Sequence, residues 1–296
     1  MTFSIGSARA FMTANARALD RHRFEVAVAD NPVARAAVIS SLGAYRNPDG
    51  GYGWGLESDL RAPESQPSGA LHAWEAVADA GTAAPDRTAP LLTWLQRTAL
   101  EDGGLPFALP IADPTACAPF WAQADPNESS LQITAAVTTQ AMRAARADES
   151  IRTHPWLKTS IDYCFRAIDN VEGAPFAYVL SFALQFLDIA TDTHPRARRL
   201  LDHLAQFVPA DGVLAVTGGA EGETIHLLDY APEPGRPIRD HFTTDAVETD
   251  LDRLERGQQP DGGWAVDFTS YSAIAALEWR GYATVRAVTT LRRNGR

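Results

Sequence analysis

The chain has 296 residues, of which 45% are hydrophobic, enough to bury the core of one large domain or two small ones. We interpret residues 1–296 as a single domain. The formal net charge of −11 and the pI near 5.1 argue against nucleic acid and anionic membranes as partners. Two cysteines suit a reducing compartment, and residues 1–6 lack the basic and apolar segments of a signal peptide. We therefore expect a cytoplasmic protein without a membrane span.

Apolar residues recur at helical spacing along most of the chain, and the alternating pattern of strands is nearly absent. Two stretches rich in proline and glycine, 105–126 and 212–237, are predicted to be loops, the second with at most a short helix near 224–228. The predicted class is all-α. The spacing predicts helices near 7–20, 38–45, 67–80, 91–99, 128–145, 154–168, 175–190, 200–207, 247–254, 271–279 and 285–291.

One glycine-rich turn recurs between the predicted helices. It stands at Asp49-Gly50-Gly51, Asp102-Gly103-Gly104 and Asp261-Gly262-Gly263, and weaker copies lie at 169–176 and 210–214. Glycine tolerates the positive φ that such a turn needs. Copies at this spacing indicate a structural repeat.

The helices on the two sides of each turn differ in character. An amphipathic helix comes before the turn and a more apolar helix follows it. This order is typical of two concentric layers, with the apolar helices inside. If 7–20 is an inner helix and 212–237 a degenerate inner element, the chain contains about six hairpins. Because a ring of hairpins buries its apolar faces by closing on itself, the pattern predicts an α/α toroid.

Two of the turns also carry a resemblance. The sequence Gln258-Gln259-Pro260-Asp261-Gly262-Gly263-Trp264 resembles the glutamine–tryptophan repeat of squalene–hopene cyclases and related terpenoid cyclases. Asn47-Pro48-Asp49-Gly50-Gly51-Tyr52 is similar, with Tyr52 in the tryptophan position and no glutamine. Protein prenyltransferase β-subunits share that toroid. The whole chain resembles actinobacterial prenyltransferase/squalene-cyclase-like proteins through Leu-Glu-x-Asp-Leu-Arg at 56–61 and Glu-Trp-Arg-Gly at 278–281, and those proteins have no established activity.

The resemblance implies an isoprenoid-handling enzyme, with two departures. Cyclases that protonate an alkene carry Asp-x-Asp-Asp at the start of an inner helix, and ionising synthases carry Asp-Asp-x-x-Asp. Neither motif occurs here. The nearest string, Asp250-Leu251-Asp252-Arg253, falls in a predicted outer helix.

Several carboxylates precede predicted inner helices, whose parallel starts would converge on one mouth. Glu64, Glu128 and Asp267 lead into three of these helices, and Asp59 and Arg61 precede the first. Neighbouring carboxylates raise one another's pKa, which can keep an acid ready to donate a proton. The same residue types are also ordinary helix caps, so both interpretations stay open. The predicted catalytic residues are Asp59, Glu64 and Glu57.

Aromatic residues lie near the turns and the inner helices, where they would line a cavity or simply form the core. An arginine, Arg61, would hold an anionic group. The predicted substrate-binding residues are Arg61, Trp54, Tyr52, Trp74, Phe107, Trp121, Glu128, Tyr178, Trp264 and Asp267.

A zinc site is a weaker expectation. Prenyltransferase β-subunits bind zinc through an Asp-x-Cys pair and a distant histidine, and Asp162, Cys164 and His226 resemble that set. Cys164 alternatively belongs to the core. We expect no cofactor, with magnesium or zinc as the candidates if a metal is used.

Three functions remain open from the sequence. The first is an isoprenoid-handling enzyme that starts cyclisation or isomerisation with an acid in a central apolar cavity. The second is a carbohydrate-active hydrolase or lyase with paired carboxylates, because α/α toroids also house such enzymes. The third is a non-catalytic toroid that binds a lipid or peptide. All three predict a small-molecule or peptide ligand, and the shape of the cavity would separate them.

Overall fold

The computed structural model describes residues 3–29 and 31–296, which are mostly helical, and the all-α prediction is confirmed. Met1, Thr2 and Asp30 lie outside the described residues. The prediction that residues 1–6 are not part of a signal peptide therefore falls partly on residues that are not described. The helices are α1 Ile5–Asn15, α2 Ala18–Ala29, α3 Pro32–Leu42, α4 Pro67–Ala80, α5 Pro85–Thr98, α6 Pro119–Ala122, α7 Leu131–Ala144, α8 Glu149–Arg152, α9 Pro155–Asp169, α10 Ala177–Ala190, α11 Arg196–Ala205, α12 Leu227–Tyr230, α13 Thr244–Arg256 and α14 Ala273–Arg293. A two-stranded antiparallel sheet pairs β1 Leu214–Ala215 with β2 Thr224–Ile225.

Two predicted helix divisions are wrong. The helix predicted at 7–20 is two helices, because Ala16 has an extended backbone at the end of α1 and the chain starts again as α2. The separate helices predicted at 271–279 and 285–291 are one helix, α14. Gly281 lies inside α14, where it lets the helix approach Ala16 closely, so this glycine marks a contact and not a helix end.

The three strongest turns share one set of hydrogen bonds. The first carboxylate oxygen of Asp49, Asp102 and Asp261 accepts from the N–H two residues later, at 2.9, 3.0 and 3.2 Å. The glycine after each aspartate has a positive φ, of 96°, 88° and 97°. Positive φ also occurs at Gly173 and Gly212 in the weaker copies. The predicted turn geometry is therefore confirmed.

Each turn also packs against a helix from another hairpin. A β-carbon built on Gly50 would lie 2.6 Å from the carbonyl oxygen of Pro90 in α5, and one on Gly103 would lie 2.6 Å from Thr159 in α9. A β-carbon on Gly262 would overlap the carbonyl oxygen of Ser7 in α1. Helix α1 therefore supports a glycine turn in the same way as α5 and α9 do. The two helices that replace the predicted inner helix therefore differ in their contacts: α1 supports a turn, and α2 contributes Arg23 to the cavity described below.

Contacts between helices run in sequence around the molecule. Helix α4 packs on α7, α7 on α10, and α10 on α12, while α12 contacts α13, α13 contacts α14, and α14 returns to α2 and α1. The main apolar core extends from Ala8 in α1 to Leu291 in α14. A two-layer toroid accounts for such contacts, and it stays a prediction. Within the described ranges, no helix is both long and apolar enough to cross a bilayer.

Candidate functional site

A cavity of about 800 Å³ lies among α2, α4, α7, α10 and α14. Residues just before or within the first turns of the lining helices include Ser68, Gln132, Phe176 and Tyr271, and those in the last turns include Asp79, Arg143 and Arg293. Three lining aromatics, Phe120, Phe176 and Tyr271, are 44–50% exposed. The cavity therefore opens beside the helix starts, and its charged end lies at the helix ends.

The segment 57–62 enters the cavity wall because it pairs with a distant part of the chain. Leu60 forms an isolated β-bridge with Cys117, and the N–H of Ala118 donates to the carbonyl of Asp59 at 2.8 Å. Leu60, Ala62, Ala108, Ala118 and Trp121 form a small apolar cluster of their own. This pairing places the proline-rich stretch 105–126 beside Asp59.

The carboxyl group of Asp59, a predicted catalytic residue, lies at the cavity. Its side chain accepts hydrogen bonds from the indole N–H of Trp279 at 2.7 Å and from the N–H of Tyr271 at 3.0 Å. Burial raises the pKa of Asp59, although those two hydrogen bonds oppose the change, and nearby Glu57 and Glu278 add to it. The acid form is thereby favoured relative to an exposed aspartate.

A buried chain of hydrogen bonds lies next to Asp59. His72 in α4 contacts Glu57 through Nε2 at 3.0 Å and Glu75 through Nδ1 at 2.9 Å. The hydroxyl of Tyr282 donates to the other oxygen of Glu75 at 2.8 Å. Burial alone would lower the pKa of His72, but the charge of Glu75 and the hydrogen bonds to both carboxylates raise it to about 9. His72 is therefore a cation held between two carboxylates at neutral pH.

Glu75 is held in its charged form by the same groups. Burial alone would raise its pKa, but His72, Arg23 and Tyr282 lower it to about 2. Arg23 lies 2.8 Å from Asp79 and 3.7 Å from each of Glu75 and Asp20. Each charge in this network faces an opposite charge, which offsets the cost of burial.

Aromatic rings cover the wall near the opening. Phe107 stacks on Trp121 with ring centroids 4.7 Å apart, and Phe120 meets Tyr271 edge to face at 5.8 Å. Trp279 lies edge to face with Phe268 at 5.1 Å, with Tyr282 at 5.4 Å and with His72 at 5.9 Å. The site thus combines an aromatic wall, one carboxyl with a raised pKa and a buried ionic network.

Five of the predicted site residues line this cavity: Glu57, Asp59, Phe107, Trp121 and Tyr178. Glu57 contacts His72 and is therefore placed to orient it. Tyr178 donates to Glu223 at 2.7 Å. The sequence prediction placed these residues in one site, and the structure brings them together.

The other predicted site residues lie outside the cavity lining. Tyr52 and Trp74 are fully buried in the core, and Trp264 is buried with its indole N–H on the carbonyl of Leu254. Trp54 is 59% exposed and donates to Asn47. These four aromatics serve packing or turn structure, because none has a face on the cavity.

The remaining predicted polar residues have other partners. Arg61 pairs with Glu278 at 2.6 Å, and Glu64 accepts from the N–H of Ala112 at 3.3 Å. Asp267 is exposed and lies 3.4 Å from His226. Glu128 lies in a shallow groove beside the opening. Of the carboxylates predicted to ring the mouth, Asp59 lines the cavity, and Glu64, Glu128 and Asp267 do not.

The three suggested zinc ligands do not form a site. Asp162 is exposed and Cys164 is fully buried on the same helix, α9, so their side chains point to different environments. Burial raises the pKa of Cys164 to about 12, which disfavours the thiolate that zinc requires. In residues 3–29 and 31–296, no cluster of three or more His, Cys, Asp or Glu side chains is placed to hold a metal ion.

The sequence interpretation missed most of the polar lining. His72, Glu75 and Asp79 stand at i, i+3 and i+7 on one face of α4, and Tyr282, Arg286 and Arg293 share a face of α14 in the same way. Polar residues at helical spacing on a helix expected to face inward are the signal that would have found them.

Comparisons with known proteins add a fold relative. No family model and no curated protein matches the chain. Among solved structures, a protein from Actinoplanes is similar, with a TM-score of 0.59 and 14% sequence identity over 99% of this chain and 98% of that chain. At this identity the similarity shows a shared fold and carries no function.

Proposed function

We propose that the protein is an isoprenoid-handling enzyme, related to terpenoid cyclases and prenyltransferases, that protonates an alkene to start an isomerisation or cyclisation. The observation that carries this proposal is the Asp59 carboxyl, whose pKa burial raises, at a cavity wall rich in aromatic rings. We also propose a cytoplasmic location, which fits the free thiols of Cys117 and Cys164.

The proposed step needs only the residues present. The O–H bond of Asp59 breaks as its proton joins one alkene carbon through the π electron pair, and the other carbon becomes cationic. The faces of Phe107, Trp121 and Trp279 stabilise that cation. Loss of a proton from a neighbouring carbon to the Asp59 carboxylate restores the acid. The product is an isomer of the substrate, so no oxidant or reductant takes part.

The test is turnover in heavy water. We expect the parent protein to convert squalene or geranylgeraniol to an isomer with one carbon–deuterium bond, detected by mass spectrometry. Asp59→Asn has no proton to donate and should be slower by about 100-fold or more. Asp113→Asn, at an exposed loop carboxylate, is the matched control. An unlabelled product, or parent-like turnover by Asp59→Asn, would refute the proposal.

A second candidate function is ligand binding without catalysis. Both oxygens of Asp59 already accept hydrogen bonds from the protein, which also suits a structural carboxylate. This candidate predicts that squalene quenches the fluorescence of Trp279 and Trp121 while no product forms. The carbohydrate alternative has less support, because Glu57 and Glu75 are both bound to His72.

A further inference from the structure

The charged end of the cavity contains a cluster of arginines that the proposed reaction does not use. Arg143 comes from the last turn of α7, and Arg286 and Arg293 lie two turns apart on one face of α14. All three line the cavity on the side of the helix ends, away from Phe120 and Tyr271. We call Arg143, Arg286 and Arg293 the arginine cluster.

The arginine cluster has fewer carboxylates than its charge requires. Arg293 and Arg143 approach the same oxygen of Glu233, at 3.1 and 4.0 Å. Arg286 donates to the carbonyl of Asp229 at 2.9 Å and lies 3.7 Å from the carboxylate of Asp229. Three guanidinium groups therefore share two carboxylates within 4.0 Å, so one guanidinium has no carboxylate of its own.

Arg23 lines the same cavity, and its charge is neutralised by neighbouring carboxylates. Asp20, Glu75 and Asp79 all lie within 3.7 Å of Arg23. Asp79 also attracts Arg143, but its carboxylate is bound to Arg23 at 2.8 Å. Arg23 alone has three carboxylates within 3.7 Å, whereas the three guanidinium groups of the arginine cluster share two.

Arg143 carries the clearest sign of a missing partner. Its Nε is buried and has no hydrogen-bond partner among the described residues. Burial lowers the pKa of Arg143, Glu233 raises it, and the neighbouring charge of Arg293 lowers it further. A buried cation with an unsatisfied donor, next to a second cation, is costly unless an anion occupies the space between them. Arg286 keeps 40% of its side chain accessible, so an anion in the cavity can reach it.

We propose that the arginine cluster binds the head group of an amphipathic monoanion, a carboxylate, whose apolar body lies on the aromatic wall. One further carboxylate would give each of the three guanidinium groups its own partner, and a carboxylate accepts two parallel hydrogen bonds from a guanidinium. A phosphate or diphosphate would bring more negative charge than the cluster can neutralise. The inference rests on the proposed cavity site and specifies the class of its ligand: an isoprenoid acid.

The first experiment compares four probes that share one chain. Farnesoic acid, its methyl ester, farnesol and farnesyl diphosphate are titrated into the parent protein, and binding is followed by calorimetry. We expect the acid to bind at least ten-fold more tightly than the ester and the alcohol, and more tightly than the diphosphate. Equal binding of acid and ester would overturn the proposal, and tighter binding of the diphosphate would overturn the assignment of a carboxylate. Because this comparison needs no variant, it stands even if a variant fails to fold.

The second experiment removes single members of the cluster. Arg286→Met and Arg143→Met keep an unbranched apolar stem and lose the guanidinium, and each should bring the affinity for farnesoic acid to within about two-fold of the ester. Arg198→Met, which removes two exposed ion pairs outside the cavity, should leave the preference for the acid unchanged. A preference for the acid that survives both cluster variants would contradict the proposal.

The failure of this inference is distinguishable from failure of the proposed reaction. If farnesoic acid binds through the cluster but no isoprenoid is turned over, the head-group site stands and the chemistry of Asp59 does not. If squalene, which has no head group, is isomerised and acid and ester bind equally, the chemistry stands and the head-group site does not.

Discussion

Two loops lie close together in the sequence and differ in how they acquire their structure. The turn Asp49-Gly50-Gly51 is repeated at 102–104 and 261–263, with the same hydrogen bonds and the same kind of supporting helix. The segment 57–62 follows the first turn and has no copy elsewhere. It obtains its geometry from 116–118, from Tyr271 just before α14 and from Trp279 within α14. The repeated turn supports the helical scaffold, and the unrepeated segment 57–62 contributes side chains to the candidate site.

The two loops differ in the substitutions that they tolerate. In the turn, the backbone fills the space that a side chain would need, so the sequence is restricted to glycine. In segment 57–62, the side chains of Glu57 and Asp59 make the contacts, while the backbone pairs as an ordinary bridge. We therefore expect substitutions in the turns to act on stability and substitutions in 57–62 to act on the cavity.

The largest effect is expected at Gly262. In Gly262→Ala the added β-carbon overlaps the carbonyl oxygen of Ser7, and φ is 97°. Backbone strain and overpacking together should lower the free energy of unfolding by about 3 kcal/mol or more. Gly173→Ala is the matched control, because its φ is 80° and nothing lies within 4 Å of the new β-carbon. It should cost only about 1 kcal/mol. Urea denaturation measures both, and equal losses would mean that the close contact with α1 contributes nothing.

The next effect concerns His72 and pH. The pKa of His72 is raised from 6.5 to about 9, so its contribution to stability is complete below pH 6.5 and is lost as the pH rises through 9. The pKa of Glu75 is lowered from 4.5 to about 2, so its contribution is present above pH 4.5 and is lost as the pH falls towards 2. The network should therefore stabilise the protein most between pH 4.5 and 6.5.

Urea denaturation at pH 6, 7.5 and 9 tests this expectation. The parent should lose on the order of 1–3 kcal/mol over that range through His72. His72→Gln should be less stable at pH 6 and should show a much smaller loss on going to pH 9. His203→Gln, at an exposed position on α11, should keep the slope of the parent. If His72→Gln keeps that slope, another group is responsible for it.

A smaller effect is expected from Trp279→Phe. The variant keeps an aromatic ring on the cavity wall and removes the indole N–H that donates to Asp59 at 2.7 Å. Loss of this hydrogen bond should cost about 1 kcal/mol of stability. Since the bond favours the charged form, its loss should also raise the pKa of Asp59 further. Any turnover should then extend to higher pH than in the parent, whereas an unchanged pH profile would separate Asp59 from catalysis.

The sequence predicted the scaffold better than the site for a physical reason. Helical periodicity and the recurring Asp-Gly-Gly turn are local signals, and they identified most helices and the turns with positive φ. The position of Asp59 depends on Trp279, 220 residues away, and no local pattern encodes that distance. Tyr52 and Trp74 were predicted at the cavity and lie in the core instead, because an aromatic residue near a turn packs equally well in either place. The sequence shows His72 and Glu75 only as polar residues on an apolar helix, and it does not show that they form an ion pair.

The smallest effect is expected at Trp54, which lies between the two loops in the sequence. It has a positive φ of 58°, is 59% exposed and donates an indole hydrogen bond to Asn47 at 2.7 Å. Trp54→Ala should cost about 0.5–1 kcal/mol, because it loses the hydrogen bond and keeps the strained backbone. Trp54→Gly also loses the bond but relieves about 1 kcal/mol of strain, so its stability should lie within about 0.5 kcal/mol of the parent. Since Trp54 has no face on the cavity, neither variant should change the binding of farnesoic acid. Weaker binding in both variants would show that Trp54 contributes to ligand binding, as the sequence analysis predicted. The ligand site would then extend from segment 57–62 towards the first turn.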